Sequence, residues 1–253
     1  MAGRIQSLWR HPVKGFTPER LDAAILTEGG YFPCDRIYAV EDGPSGFDPA
    51  APAFVPKQKF TVLAKIAAVA RARTAYDEAR GEIHVAADGR PDLTANLKTP
   101  EGRDTFAAWL SLFLGDEASG PLKVVEAPGH RFTDHPLGHV SIVNLASVRD
   151  LEARIGRPID PLRFRANVYV DGWPAWAEND WVGRAVRIGG ASAQVFKPIV
   201  RCVATHVDPT TGERDIEVVR ALHDAYGHLF CGIYVAVTGG GTIAVGDLAE
   251  AAP

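Results

Sequence analysis

The stretch GIYVAVTGGGTIAVGD, residues 232–247, joins two apolar segments through a run of three glycines. Val and Ile are common in strands, and glycine clusters between such segments are typical of turns. We therefore predict two strands connected by a hairpin turn. Because the glycines do not lie between a strand and a helix, they do not predict a phosphate-binding loop.

Eight further segments have the same character. Each is short, rich in Val and Ile, and bounded by Gly, Pro or Asp. They are RIQSLWRH (4–11), RIYAVED (36–42), GEIHVAAD (81–88), LKVVEA (122–127), HVSIVN (139–144), ANVYVDG (166–172), AVRIGG (185–190) and IVRCVATHV (199–207). Many short strands predict a mainly β chain built as a barrel or a sandwich.

Three helices are predicted from their end signals. The predicted helices are TFAAWLSLFL (105–114) after Asp104 as N-cap and before Gly115, LASVRDLEARI (145–155) between Asn144 and Gly156, and DIEVVRALHDAY (215–226) before Gly227. Apolar residues recur at helical spacing in the second and third helices, which predicts packing against the sheet. The loop GDEASGP (115–121) is a possible boundary between a smaller N-terminal part and a longer C-terminal part.

Composition excludes several classes of protein. The 253 residues carry a net charge of -4 with both signs interspersed, which argues against nucleic acid and anionic membranes as partners. No apolar run is long enough for a membrane span and no signal-peptide pattern is present, so we predict a soluble cytoplasmic protein. The three cysteines, Cys34, Cys202 and Cys231, form neither a disulfide framework nor a CxxC pair.

Positively charged and hydrogen-bonding residues recur at the ends of the predicted strands. These corners are HPVKG (11–15), DRIY (35–38), PKQKF (56–60), RFRAN (163–167) and VRCVAT (200–205). In a chain that is acidic overall, such corners could converge on one anion. The alternative is that each is a solvated charge that protects a strand edge.

Arg163 and Arg165 alternate with apolar residues, so a strand would place both guanidinium groups on the same face. The planar donors of arginine suit a phosphate or a carboxylate. Glu178 and Asp180 in WAENDW are alternative ion-pair partners for these arginines. The two interpretations are compatible with each other.

Cys202 stands beside Arg201 in an otherwise apolar run. A lone cysteine in such a run is usually a buried structural thiol. A neighbouring cation, however, favours the thiolate form, which binds soft metals. The residues alone leave both interpretations open, whereas Cys34 and Cys231 lack such a neighbour and are interpreted as structural.

The ordered set HPVKG, DRIYAVED, RFRANVYVDG, WAENDW, RCVATHVDPTTG, GIYVAV and GGTIAVGD resembles the MOSC domain family, named for the molybdenum cofactor sulfurase C-terminal domain. The resemblance covers nearly the whole chain. It implies an N-terminal MOSC-associated β-rich region over residues 1–104, packed on a MOSC β-barrel with flanking helices over residues 105–253.

The resemblance also implies a cofactor and its ligands. The cofactor is the molybdenum cofactor (molybdopterin), with Cys202 as the ligand to the metal. Glu178 and Asp180 would lie near the metal, where an acid could deliver protons. The residues that would line the cofactor are Lys14, Gly15, Arg36, Lys57, Arg163, Arg165, Asn167 and Arg201.

The activity implied by the resemblance is reduction of N-hydroxylated or other N-oxygenated small molecules. Because the chain has no cysteine-rich ferredoxin-like tail, a separate flavin or iron-sulfur protein would supply the electrons. One alternative is a non-catalytic carrier of molybdenum cofactor, or of persulfide sulfur on Cys202. Another is a pyridoxal-phosphate-associated domain that uses a lysine such as Lys14.

Overall fold

Fifteen β-strands and three α-helices make up the regular structure of residues 1–135, 137 and 140–252, which are the residues that the computed structural model describes. The strands are β1 Ala2–Arg10, β2 Glu19–Leu21, β3 Ala23–Leu26, β4 Tyr38–Asp42, β5 Arg73–Asp77, β6 Glu82–Ala86, β7 Leu93–Asn96, β8 Leu122–Glu126, β9 Val140–Asn144, β10 Val168–Asp171, β11 Ala185–Ile188, β12 Ala191–Val200, β13 Phe230–Gly239, β14 Gly241–Ala244 and β15 Leu248–Ala251. The helices are α1 Pro100–Leu114, α2 Leu145–Ile155 and α3 Val218–Tyr226.

Seven strands close into a barrel in the order β10, β9, β13, β12, β11, β15 and β1. The ring closes because β1 pairs with β15 on one side and with β10 on the other. Closure removes the unpaired strand edges that an open sheet would expose. The interior is apolar and includes the buried side chains of Ile5, Ile142, Val186 and Ile233. The predicted mainly β fold with a barrel and flanking helices is confirmed.

Two of the helices pack outside the barrel as predicted. Val148 and Leu151 of α2 and Leu222 of α3 are buried in one cluster with Tyr169 of β10. Asn144 caps α2 by accepting a hydrogen bond from the main-chain N–H of Ala146, at 3.1 Å. The glycines predicted to end α2 and α3 do so, although α3 begins at residue 218 and not at 215. Residue 139 of the predicted strand 139–144 and residue 253 lie outside the described residues.

The third helix, α1, belongs to the N-terminal part. It packs against β7 and β8, and its buried residues Phe106 and Leu110 join a second apolar cluster with Val40 and Ile83. The predicted boundary between residues 104 and 105 falls inside α1. In addition, β1 lies in the N-terminal residues 1–104 but forms part of the barrel.

The predicted start of α1 is wrong by several residues. Thr99 is the N-cap, and its hydroxyl accepts a hydrogen bond from the main-chain N–H of Gly102 at 3.1 Å. Pro100 takes the first helical position, where its missing N–H has no intrahelical acceptor to lose. Asp104, predicted as the cap, therefore lies within the helix.

No helix of the described residues is long and apolar enough to span a membrane.

The glycine run does not form the predicted hairpin. β13 pairs with β12 and β9, whereas β14 pairs with β3 in a separate two-stranded ladder. The glycine run therefore connects a strand of the barrel to a strand of a separate ladder, and the two strands do not pair with each other. Close main-chain contact explains the need for glycine, since a Cβ atom at Gly241 would lie 2.2 Å from the carbonyl oxygen of Gly190.

A buried carboxylate connects the start of α2 to the segment that follows β10. Glu178 lies in the 3-10 helix Ala177–Asp180 and is fully buried. Its carboxylate accepts hydrogen bonds from Asn144 Nδ2 at 2.9 Å and from Ser147 Oγ at 2.7 Å. Burial raises the pKa of Glu178 although both hydrogen bonds oppose this shift. Glu178 therefore has a structural function at the start of α2.

We expect Gly241→Ala to destabilise the protein by about 1–3 kcal/mol, because the new methyl group overlaps the Gly190 carbonyl. Gly239→Ala is the matched control, since a Cβ atom there would meet Ser192 Cβ at an ordinary 3.6 Å. Urea unfolding of both variants measures the difference. Equal stabilities would contradict the close contact between these two segments.

We also expect the stability of Glu178→Gln relative to wild type to increase as the pH rises from 4 to 7. The raised pKa means that the folded protein holds a proton that the unfolded chain releases at lower pH, so wild type loses stability across this range. Glutamine removes the buried charge and can still bond to Asn144, while the Ser147 hydroxyl can act as an acceptor. Glu178→Ala removes the same titrating group and should show the same pH trend relative to wild type, but with a stability about 1–3 kcal/mol below that of Glu178→Gln, because it leaves both partners unpaired. Thermal unfolding as a function of pH tests both expectations.

Candidate functional site

A cavity of about 220 Å³ opens where the HPVKG corner meets the segment after β8 and the end of β12. Seven of its described lining residues are cationic, namely Lys14, Arg36, Lys57, Arg163, Arg165, Lys197 and Arg201. The only carboxylate among the described lining residues belongs to Asp134, and the only thiol to Cys202. Such a concentration of positive charge in a chain of net charge -4 indicates an anion-binding site.

The structure brings most of the predicted site residues together. Eight of them line this cavity, namely Lys14, Gly15, Arg36, Lys57, Arg163, Arg165, Arg201 and Cys202. Asn167 lies behind the lining residue Ser141 and accepts hydrogen bonds from its main-chain N–H and its hydroxyl, at 3.1 and 2.8 Å. Asn167 therefore supports the wall of the cavity from within the core.

Glu178 and Asp180 are not brought to the cavity that the described residues form. The carboxylate of Glu178 points beneath α2, as described above, and Asp180 is exposed at the end of the same 3-10 helix. The predicted alternative for Arg163 also fails, because Arg163 pairs with Asp208 and Asp215 at 3.1 and 2.7 Å. We assign neither Glu178 nor Asp180 a part in the site.

Cys202 lies in a loop and not in the predicted strand 199–207. β12 ends at Val200, and residues Val203–His206 form a 3-10 helix with Cys202 at its N-cap. The hydroxyl of Thr205 donates to the Cys202 carbonyl at 2.9 Å, which favours a turn over continued strand. The strand therefore ends just before the cysteine, and the half-buried thiol lines the cavity.

Lys57 is in direct contact with this thiol. Its ammonium group lies 3.2 Å from Cys202 Sγ and 3.3 Å from Asp134 Oδ2. Burial lowers the pKa of Lys57, but the negative charges of Asp134 and Cys202 outweigh that effect, so the pKa is raised overall. Lys57 therefore remains protonated and donates a hydrogen bond to Cys202 Sγ.

Arg163 and Arg165 line the cavity, but they do not lie in the strand that the sequence predicts for them. Residues Pro161–Phe164 form a 3-10 helix, and Arg165 ends it in the left-handed conformation, with a φ of 50°. Arg36 has a similar φ of 51°, and its Nη2 donates to the Arg165 carbonyl at 3.1 Å. Non-glycine residues held in this conformation are often found at functional sites.

The guanidinium group of Arg165 is incompletely bonded. Its Nη2 is buried and has no hydrogen-bond partner within the described part of the chain. Burial and the neighbouring charge of Arg36 lower the pKa of Arg165 to about 10. An unpaired buried donor on a cation is costly, and an anion in the cavity would pair with it.

Lys14 is the most buried ammonium group of the lining, with 3% of the residue exposed. It donates to the Phe132 carbonyl at 2.8 Å and to the carboxylate of Asp134. Burial lowers the pKa of Lys14, and the charge of Asp134 only partly opposes this shift. Withdrawal from water would raise the pKa of Asp134, yet the charges of Lys14 and Lys57 outweigh it and hold that pKa well below its usual range.

Arg201 mainly forms hydrogen bonds to the main chain of two segments beside the cavity. Its Nε and Nη2 donate to the Cys231 carbonyl, and its Nη1 donates to the Phe164 carbonyl at 2.7 Å. Its guanidinium carbon also lies 5.2 Å from the centre of the Phe164 ring. Arg201 therefore contributes charge to the cavity while its nitrogens bond to the main chain.

Several polar lining residues are not among the predicted site residues, and they include Asp134, Ser141, Lys197 and Tyr234. Asp134 lies 120 residues from its partner Lys14, in a loop segment without periodicity, so no local signal marks the pair. Lys197 and Tyr234 are paired across β12 and β13. The register of two neighbouring strands would have been needed to predict them.

The donor set fits a cofactor that carries its own metal ligands. No group of three or more His, Cys, Asp or Glu side chains in the described residues could hold a metal ion. A single thiol does not complete the coordination of a metal, so further ligands would have to come from the bound group. The cationic lining and the unpaired Arg165 nitrogen suit the phosphate of such a group.

Comparison with known proteins places the chain in a family. The model of the MOSC domain matches residues 129–250, and the model of the MOSC N-terminal beta barrel domain matches residues 2–120. A relative named mitochondrial amidoxime-reducing component 1 from Homo sapiens is 30% identical over 204 residues, which cover 62% of this chain and 59% of the relative. Molybdenum cofactor sulfurase from Drosophila melanogaster is 33% identical over 143 residues, which cover 52% of this chain and 17% of the relative.

The chain thus matches less than two thirds of the length of these curated relatives. Among solved structures, the YUAD protein from Bacillus subtilis aligns over 99% of this chain and 96% of its own, with 15% identity and a TM-score of 0.47. The two family models together cover the chain from residue 2 to residue 250 except for residues 121–128. The protein is therefore a member of the MOSC domain family, with a MOSC N-terminal β-barrel domain preceding the MOSC domain.

Proposed function

We propose that this protein binds a molybdenum cofactor in the cationic cavity and reduces N-hydroxylated or other N-oxygenated small molecules. The observation that carries this proposal is the position of Cys202. Its thiol lines a cavity with seven cationic residues and lies 3.2 Å from the ammonium group of Lys57. A buried structural thiol, which was the alternative interpretation, has no need of such surroundings.

The residues that would hold the cofactor have distinct tasks. Cys202 would be the protein ligand to the metal, and Lys57 Nζ, 3.2 Å from its sulfur, would donate a hydrogen bond to it. Lys14 and Arg165 would pair with the phosphate, because each is a largely buried cation at the cavity. The bound phosphate would accept a hydrogen bond from Arg165 Nη2, which has no partner among the described residues.

The reaction converts R–NHOH, two electrons and two protons into R–NH₂ and water. The N–O bond breaks, one proton ends on nitrogen, and the released oxygen leaves as water. The bound molybdenum centre would supply the electrons at the substrate. Val200 and Val203, which are 56% and 45% exposed on either side of Cys202, offer an apolar surface for the body of a small substrate.

A separate protein would reduce the bound centre. The name of the relatives, amidoxime-reducing component, describes them as one part of a larger system. We therefore propose a donor protein with a flavin or an iron-sulfur cluster. Reduction of an amidoxime by the purified protein plus a chemical reductant would separate the activity of this chain from that of its donor.

A second candidate function uses the same thiol without turnover. The sulfurase relatives favour a carrier that holds molybdenum cofactor, or sulfur as a persulfide on Cys202. Mass spectrometry of the intact protein distinguishes the two candidates. A persulfide on Cys202 in metal-free protein would select the carrier.

We expect Cys202→Ser to abolish molybdenum binding and reductase activity while the fold is retained. The hydroxyl is a much poorer ligand for a soft metal than the thiolate, and the position is half-buried, so packing losses are small. Metal analysis, an amidoxime assay and a melting curve, all on protein made in a host that synthesises the cofactor, give the three measurements. Cys231→Ser, in the barrel wall, is the control and should lose stability without specific loss of metal.

Molybdenum retained in Cys202→Ser at the level of wild type would contradict the assignment of the ligand. Loss of stability together with retained metal would indicate a packed structural thiol. Either result would remove the main support for a reductase.

We expect Arg165→Met to lower the molybdenum content without lowering the stability of the metal-free protein. The substitution removes a cation whose buried Nη2 has no hydrogen-bond partner among the described residues, and apolar replacements of such groups are often neutral or stabilising. Arg163→Met is the matched comparison, because Arg163 lines the same cavity but is paired with Asp208 and Asp215. It should cost about 1–3 kcal/mol, because Asp208 loses its ion pair and Asp215 keeps only its pair with Arg157. Equal stability losses in the two variants would contradict the special position of Arg165.

A further inference from the structure

Asp134 is the one carboxylate among the described lining residues, and its two oxygens serve two different cations. Oδ1 accepts a hydrogen bond from Lys14 Nζ, and Oδ2 lies 3.3 Å from Lys57 Nζ. The carboxylate therefore occupies the space between the two ammonium groups. An oxyanion that binds both lysines would need this same space.

The pairing is required by the burial of Lys14. The Lys14 side chain is 4% exposed, whereas the Asp134 side chain is 43% exposed. A buried ammonium group without a counterion is strongly unfavourable, so something anionic must accompany it. Asp134 can turn toward solvent when another anion takes its place beside Lys14, whereas the buried Lys14 side chain cannot reach solvent.

We infer that Asp134 is an internal counterion of the anion site and selects which anions enter it. A phosphate-type dianion displaces the Asp134 carboxylate from Lys14 and Lys57, whereas a singly charged anion does not. Part of this inference rests on the proposed function, since the ligand proposed there carries a phosphate. The anion site itself can be tested without any metal.

Charge and effective concentration explain the selectivity. A free carboxylate such as acetate offers the lysines the same charge and the same two oxygens as Asp134. It must also be immobilised from solution, whereas Asp134 is already tethered beside them. A phosphate dianion brings a second charge and more acceptor oxygens, which the cations Arg36 and Arg165 of the same cavity can use.

The test compares inorganic phosphate with acetate on the metal-free protein at about pH 8, where phosphate is mainly a dianion. Apparent affinities come from the rise of the melting temperature with anion concentration. For wild type, phosphate should raise the melting temperature and acetate should not. For Asp134→Asn, which keeps one acceptor oxygen, phosphate should bind at least about tenfold more tightly, and acetate should now stabilise as well.

Three further variants make the result specific. Asp171→Asn breaks an exposed ion pair with Arg149, so it should leave both anion responses unchanged. Asp134→Glu restores a carboxylate and should return the selectivity toward that of wild type even if Asp134→Asn folds poorly. Adding Lys57→Met to Asp134→Asn should remove most of the gain in phosphate affinity.

Equal phosphate affinities in wild type and Asp134→Asn would overturn the inference, and so would weaker binding in the variant. Either result could occur while wild type still binds molybdenum through Cys202, in which case the proposed function would stand. Conversely, the predicted phosphate response could occur in a protein that binds no molybdenum. That result would support Asp134 as the internal counterion and contradict the proposed reductase function. The inference about Asp134 and the proposed function can therefore be contradicted independently of each other.

Discussion

The positive charge of the cavity has to be compensated inside the protein, because burying cations without acceptors is too costly for a folded chain. The surrounding structure supplies those acceptors in two ways. Main-chain carbonyls bond to Lys14 and Arg201, and carboxylates bond to Lys14, Arg36 and Arg163. Much of the irregular backbone around the cavity is positioned to make these contacts.

The left-handed residues Arg36 and Arg165 illustrate this dependence. Their strained backbone is stabilised by local bonds, since the Arg36 N–H donates to the His11 carbonyl and its Nη2 donates to the Arg165 carbonyl. Asp35 in turn accepts from the His11 N–H at 2.7 Å and pairs with the Arg36 guanidinium group. The HPVKG corner, the DRIY corner and the RFRAN corner are thus joined before any ligand is considered.

Much of this could be predicted from sequence, and the failures have physical reasons. Cationic residues at strand ends predicted the convergence of Lys14, Arg36 and Lys57, because in a β fold the strand ends meet at common edges. The sequence does not show where a strand stops when turn residues are absent, so the run through Cys202 was predicted as a continuous strand. Nor does it show which acid meets which cation across a long chain separation, so the sequence does not mark Asp134, and it predicts Glu178 near a cavity that Glu178 does not line.

The barrel explains why the cavity draws on both halves of the chain. β1 completes the barrel between β15 and β10, and the chain leaves β1 directly into the corner that carries Lys14. Arg165 comes from the segment just before β10, and Cys202 follows the end of β12. Removal of β1 would open the barrel between β15 and β10. The barrel and the charged cavity therefore both depend on the pairing of β1 with these two strands. A MOSC domain deprived of its N-terminal partner would therefore lose both a barrel strand and three of the seven cationic lining residues, namely Lys14, Arg36 and Lys57.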